Sequence, residues 1–286
     1  VVNYQGKKYL YNTDIKTYLM MGVDIDGPVQ QSTDYTKGGQ SDALFLLVVN
    51  NKTQQLQVIS INRNTMADIE LCDEDGIDMG PLKTQICLQH AFGDGKRISC
   101  SKTVDAVSGL FQNIPISGYL AMNMGGIPKM NDSVGGVEVT VLQNISFPKA
   151  GVKLKKGEKT TLNGTQAYYY LHGRDTDEYD SATKRLRREE QYIVAYMDKL
   201  KKVSTENPDQ VTEIYDSISD YLVTSVDFTS MIEQLMTYDF SEDQMYTVPG
   251  KTVEGKPIDG KRYEEYHVDE DAMEKLIMQV FYTPVQ

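Results

Sequence analysis

The residues of this chain that could do chemistry are acids and arginines spaced so that strand pairing brings them together. Asp42 enters the stretch Ser41 to Thr65, SDALFLLVVNNKTQQLQVISINRNT, and Arg63 and Asn64 leave it. Ala43 to Val49 is a short apolar run of β-formers, Asn50 to Gln55 is turn material, and Leu56 to Ile61 alternates apolar with polar. Two strands and a hairpin are predicted. Antiparallel pairing then returns Arg63 and Asn64 to the side of Asp42. A carboxylate able to hold a hard cation, beside a planar fork of donors suited to phosphate, points to phosphate chemistry. A surface ion pair is the plainer reading of the same residues.

Lys16 to Val23 (KTYLMMGV) reads as a further strand ending at Asp24, and the Gly, Gln, Ser and Thr-rich stretch Ile25 to Gln40 reads as a long loop. If that strand runs antiparallel to Ala43 to Val49, Asp24 and Asp42 share one sheet edge, as metal-holding carboxylates or as solvated loop acids. Gln166 to Leu171, a helix or a strand, delivers His172, Gly173 and Arg174. Ala182 to Lys202 has helical spacing at Leu186, Ile193, Met197 and Leu200, with Ser181 or Thr183 placed to cap it. Its first turns hold Lys184, Arg185, Arg187 and Arg188. Cations at a helix N-terminus oppose the macrodipole, a local cost that an anionic ligand relieves. Arg185 and Arg188, three apart, share a face.

The wider composition limits the partners. The 286 residues hold 41 acids against 29 Lys and Arg, for a net charge of −12, which excludes a general nucleic-acid binder. A phosphate site in such a chain is a local basic pocket. The chain opens with VVNYQGKKYLYN, without a signal peptide or an apolar run of bilayer length, so a preceding anchor or export signal is expected. Cys72, Cys87 and Cys100 allow one disulfide or buried free thiols.

The remaining elements supply layers. Pro81 to Phe92, Lys102 to Gln112, Ile127 to Asn131, Pro208 to Leu222, Phe228 to Met236 and Val268 to Phe281 show helical spacing. Ile116 to Met124, VEVTVLQNI from Val137, and Met245 to Pro249 read as strands, and Lys149 to Lys159 as a solvated basic loop.

GVD at Gly22 to Asp24, SDALFLLVVN at Ser41, SINRNT at Ser60, NDSVGGVEV at Asn131, LNGTQAYYYLHGR at Leu162 and RLRRE at Arg185 together resemble the LytR-CpsA-Psr family, in the family's order. The resemblance covers roughly residues 18–200, within one catalytic domain over 1–286 whose helical and C-terminal extension is residues 201–286. It implies an α/β fold, a three-layer α/β/α sandwich around a mixed central sheet, with an apolar lipid tunnel between sheet and helices. It implies an extracytoplasmic, membrane-anchored phosphotransferase that moves a teichoic acid or capsular polysaccharide from a polyprenyl-pyrophosphate carrier to peptidoglycan.

The resemblance also assigns residues. Asp24 and Asp42 match metal-binding acids, for Mg2+ or Mn2+, and Asp42, Arg63 and Arg174 match the catalytic group. Gln40, Arg63, His172, Arg174, Arg185, Arg188 and Glu189 stand at the pyrophosphate-binding positions. Four of them or their neighbours depart from the common pattern: Gln40 and His172 stand for arginine, Asn64 for aspartate and Glu189 for glutamine. These departures reduce cationic charge and leave open a second reading, a non-catalytic or weakly hydrolytic polyprenyl-phosphate-binding protein of the envelope.

Overall fold

The computed structural model describes residues 1–173, 178–257 and 263–285. The run SDALFLLVVN becomes the strand Ser41–Asn50, and it is buried on both faces. Leu44, Leu46 and Val48 point to one layer, and Phe45, Leu47 and Val49 point to the other. A strand covered on both sides reads as a continuous apolar run. Ser41–Asn50 pairs antiparallel with Ile15–Val23 on one side and Gln55–Ile61 on the other, Leu46 lying opposite both Leu19 and Ile59. Gly118–Asn123 joins parallel to Ile15–Val23, and Met245–Thr247 joins parallel to Gln55–Ile61. Leu222–Thr224 completes a mixed six-stranded sheet.

Seven α-helices are found among the described residues: α1 (Arg97–Leu110), α2 (Ile127–Ser133), α3 (Gly164–His172), α4 (Ser181–Glu206), α5 (Gln210–Ile218), α6 (Phe228–Met236) and α7 (Glu270–Phe281). Val107 of α1 and Ile277 and Phe281 of α7 cover one face of the sheet. Leu186 of α4 with Met231 and Leu235 of α6 covers the other, which makes the α/β/α sandwich. A third cluster joins α3, α4 and α5 to two small antiparallel strand pairs, Val137–Thr140 with Lys159–Leu162 and, between them in sequence, the hairpin Ile145–Phe147 with Val152–Leu154.

Four expectations change. Pro81 to Phe92 is not one helix: Asp78–Gln85 is a strand paired with Met66–Cys72, followed by the 3-10 turn Ile86–Ala91. The helix read from Lys102 begins at Arg97, where the Asp94 carboxylate accepts from the N–H groups of Lys96, Ile98 and Ser99. Neither Ser181 nor Thr183 caps α4. Its N-cap is Asp180 in the left-handed region, with its carboxylate turned to Thr252 instead. The basic stretch 149–159 keeps its lysines exposed but is not one loop: it holds the Pro148–Ala150 turn and second strand of the hairpin Ile145–Phe147 with Val152–Leu154, and reaches Lys159–Leu162. All three cysteines are free and buried.

Candidate functional site: a charged mouth on an apolar cavity

The edge of the sheet where Ile15–Val23 ends and Ser41–Asn50 begins carries the acids. A register shift between Gly22 and Val23 aligns Val23 with Ser41, so Asp24 and Asp42 leave the same edge. Gly39, at φ 81°, makes the turn into Gln40 at a place where a Cβ would lie 2.8 Å from Val23. That turn fixes a reciprocal pair, the Gln40 N–H donating to Asp24 Oδ1 at 2.6 Å and the Asp24 N–H to the Gln40 carbonyl at 3.0 Å. Behind it the buried His90 has Nδ1 at 3.0 Å from both the Gly38 and Gly39 carbonyls, which makes that nitrogen the donor. Burial lowers the His90 pKa, keeping the ring neutral for that task.

Asp42 stands between two guanidiniums. Arg63 Nη1 lies 3.0 Å from Oδ1, and Arg185 Nη1 lies 2.9 Å from Oδ2 while Arg185 Nη2 donates to the Asp42 carbonyl at 2.8 Å. Arg185 is only 2% exposed, and its Nε faces Glu189 Oε1 at 3.2 Å. The remaining Arg63 Nη2 donates to Gln40 Oε1 and to Cys87 Sγ. Arg63 Nε is buried with no hydrogen-bond partner among the described residues.

Charges here are held against the cost of burial. Burial raises the Asp24 pKa, and the nearby Asp42 carboxylate adds to the rise. Glu189 is pushed up to about 7, mainly by burial, with Arg185 acting in the opposite direction. His172 is lowered by burial first and by the Arg185 charge second. Burial thus favours the neutral form of His172 and the protonated form of Glu189.

Arg188 does something else. It donates Nε to the Tyr170 carbonyl at 2.7 Å, and its Nη groups to Gln143 Oε1 and the Gly173 carbonyl. It fixes the segment that follows α3 while Arg185, one turn earlier, faces the acids. The Asn64 amide accepts from Gln85 Nε2 at 3.0 Å, away from Arg63's contacts. Arg174 lies outside the described residues. Two features escaped the sequence reading: the contact of Cys87, weighed as a disulfide partner or a buried free thiol, with Arg63, and the Tyr168 hydroxyl, 2.5 Å from Asp26 Oδ1. No local sequence signal marks either, because both depend on pairings between distant segments.

Below the mouth lies a cavity of about 240 Å³. Asp24, Asp42, His172, Arg185 and Glu189 line its charged end, and Met20, Phe45, Met122, Tyr196, Ile214 and Ile232 are among its apolar walls. It runs between the sheet and α4, α5 and α6. Helix α1 packs on the opposite face of the sheet. Most of the side chains that line it are apolar, and the charged ones gather at one end.

The three-layer fold thus sets an acid–arginine cluster at one end of a largely apolar cavity. The LytR_cpsA_psr family model matches residues 2–280, and the chain belongs to that family. It is 29% identical over 231 residues to a polyisoprenyl-teichoic acid–peptidoglycan teichoic acid transferase TagU of Enterococcus faecalis, covering 80% of this chain and 67% of that one. A protein of the same name from Bacillus licheniformis is 32% identical over 166 residues, 58% of this chain and 46% of the relative. Among solved structures, B. subtilis TagV superposes with a TM-score of 0.70 at 21% identity, covering 94% of this chain and 96% of that one. A structure titled TagT bound to LI-WTA gives 0.65 at 18% identity, covering 98% and 97%. These likenesses establish the fold.

Proposed function

We propose that the protein transfers a glycopolymer of the teichoic-acid or capsular-polysaccharide type from a polyprenyl-pyrophosphate carrier to peptidoglycan, at the outer side of a membrane reached through an anchor that precedes this sequence. The observation that carries this reading is the charged mouth on an apolar cavity, which suits an anionic head with a hydrocarbon tail. The names of the teichoic acid transferase relatives supply the polymer and the acceptor. Among the described residues no helix is long and apolar enough to cross a membrane.

Asp24 and Asp42 suit a magnesium ion. Two carboxylates leave one edge, and burial first, then the neighbouring Asp42 charge, raises the Asp24 pKa, a cost that a cation would offset. Magnesium is commonly bound by one or two carboxylates with substrate phosphates and water completing the shell. Among the described residues no three His, Cys, Asp or Glu side chains form a metal cluster, so the substrate would complete this one. When bound, the ion would supply charge neutralisation at the pyrophosphate. Arg63 and Arg185 stabilise charge on the bridging and leaving oxygens, and Gln40 and His172 offer neutral contacts where arginine would offer charge. The acceptor hydroxyl forms the new oxygen–phosphorus bond and gives up its proton to solvent, the pyrophosphate bridge breaks, and polyprenyl phosphate leaves with the bridging oxygen.

The test is release of polyprenyl phosphate from a lipid-linked polymer in the presence of peptidoglycan fragments and magnesium. Release that stops with chelator supports the transferase. Binding of the lipid with no release, at any magnesium concentration, replaces it with the non-catalytic reading. Tail length offers a second measurement. Each buried methylene contributes roughly 0.8 kcal/mol, so prenyl pyrophosphates are expected to bind tighter with each added unit until the cavity is full. Affinity indifferent to chain length would remove the tail from the cavity.

A further inference from the structure

Outside the mouth, the most distinctive charge in the molecule is the segment 145–159. It holds Lys149, Lys153, Lys155, Lys156 and Lys159 against one acid, Glu158, in a chain of net charge −12. All five lysines are exposed. Lys159 pairs with Glu138 at 2.8 Å, and among the described residues none of the other four forms an ion pair.

The position of these lysines is fixed. Val152 and Leu154 are buried at 2% and 3%, which turns the intervening Lys153 outward, beside Ser146 of the paired strand. The Phe147 ring stacks on Tyr169 of α3 at 4.4 Å with 29° between the planes. The same ring covers Gly173, where an added Cβ would meet it at 2.6 Å. Gly173 follows His172, which lines the mouth, and Arg188 ties the Gly173 carbonyl to Gln143 just before the hairpin. The lysines therefore begin two residues beyond a ring that is packed against the rim.

We propose that this hairpin is a docking surface for a polyanionic glycan chain, one with a phosphodiester or carboxylate in each repeat, along its path out of the mouth. An acidic protein repels such a polymer over most of its surface, and a local basic track reverses that field only at contact range, about 8 Å at physiological salt. An anionic bilayer is the other surface that lysines attract. Binding there gains from apolar side chains that enter the lipid, and no large apolar side chain in 145–159 is exposed. The polymer is favoured.

This inference rests on the transferase reading for its choice of polymer, yet it is tested without the lipid. Soluble poly(glycerol phosphate) and neutral dextran of matched length are titrated into the parent and into a variant carrying Lys149→Gln, Lys153→Gln, Lys155→Gln and Lys156→Gln. All four side chains are exposed, so the variant is expected to melt with the parent. The phosphate polymer is expected to bind the variant roughly tenfold or more weakly at low salt, with a shallower salt dependence, and dextran to bind both poorly. Equal affinity of parent and variant for the phosphate polymer, no binding by the parent, or dextran binding as tightly would overturn the proposal. So would anionic-lipid vesicles that bind through the lysines while the polymer does not. If the variant keeps polymer affinity and still releases polyprenyl phosphate, the docking surface fails and the transferase stands. If lysine-dependent polymer binding persists with no release by the parent, the reverse holds.

Discussion

Replacing Asp42 by alanine is expected to lower stability by roughly 3 to 5 kcal/mol and to abolish the response of pyrophosphate binding to magnesium. The carboxylate sits between Arg63 Nη1 and Arg185 Nη1, at 3.0 and 2.9 Å, and the two arginine side chains are 10% and 2% exposed. Removing it leaves two buried guanidiniums with less compensation: Arg185 keeps Glu189, while Arg63 keeps Gln40 and Cys87. The cost is that of uncompensated buried charge, larger than the worth of the ion pair itself. An anion can replace the lost carboxylate. Inorganic pyrophosphate without metal is therefore expected to raise the melting temperature of the variant more than that of the parent. Magnesium is expected to alter pyrophosphate affinity only in the parent. An unchanged melting temperature, or a variant that still answers to magnesium, would show that Asp42 neither balances these arginines nor holds the ion.

The parts of this site that were legible in the sequence are the parts held by short-range rules. Alternation in Leu56 to Ile61 and the apolar run before it predicted the hairpin, and the hairpin alone brought Asp42 to Arg63. Helical spacing in Ala182 to Lys202 predicted α4 and put Arg185 in its first turns, but not the burial that leaves it 2% exposed. Gln166 to Leu171 was ambiguous between helix and strand because the segment is short; Asn163, accepting from the Gln166 N–H at 2.9 Å, settles it as the cap of α3. Ile86, Leu88 and Ala91 imitate a helix, yet the preceding residues pair with Met66–Cys72, a partner that local periodicity does not reveal. The functions of Arg185 and Arg188 could not be separated from spacing. Both are buried at the start of α4, and only their partners, Asp42 for one and the carbonyls of Tyr170 and Gly173 for the other, distinguish a charge-bearing residue from a tether. The side of the sheet that holds the cavity was likewise illegible, since Ser41–Asn50 is apolar on both faces.

Glu189 is expected to give this protein a pH dependence that glutamine at the same position removes. Its carboxyl is 7% exposed and its pKa is pushed from 4.5 up to about 7, mainly by burial. Arg185 and Arg188 oppose the shift, while Asp42 and Glu190 add to it. A raised folded-state pKa means that the native protein holds the proton more tightly than the unfolded chain. The associated stability is fully present below the unfolded value near 4.5 and is lost as pH rises through about 7, with no further change above it. The loss is on the order of 3 kcal/mol at most. Glutamine stays neutral throughout, so denaturation of Glu189→Gln and parent from pH 5 to 8 is expected to show the variant gaining on the parent as pH rises. Asp24 and His172 titrate in both proteins and largely cancel in that difference. Ligand binding should follow the same proton. A protonated Glu189 leaves Arg185 with one fewer opposing charge, so parent affinity for a short prenyl pyrophosphate is expected to rise from pH 8 to 6, and variant affinity to stay nearly flat. Parallel stability curves and equal binding slopes would mean that Glu189 remains ionised beside Arg185 across this range, and that the mouth carries one more fixed negative charge than its burial allows.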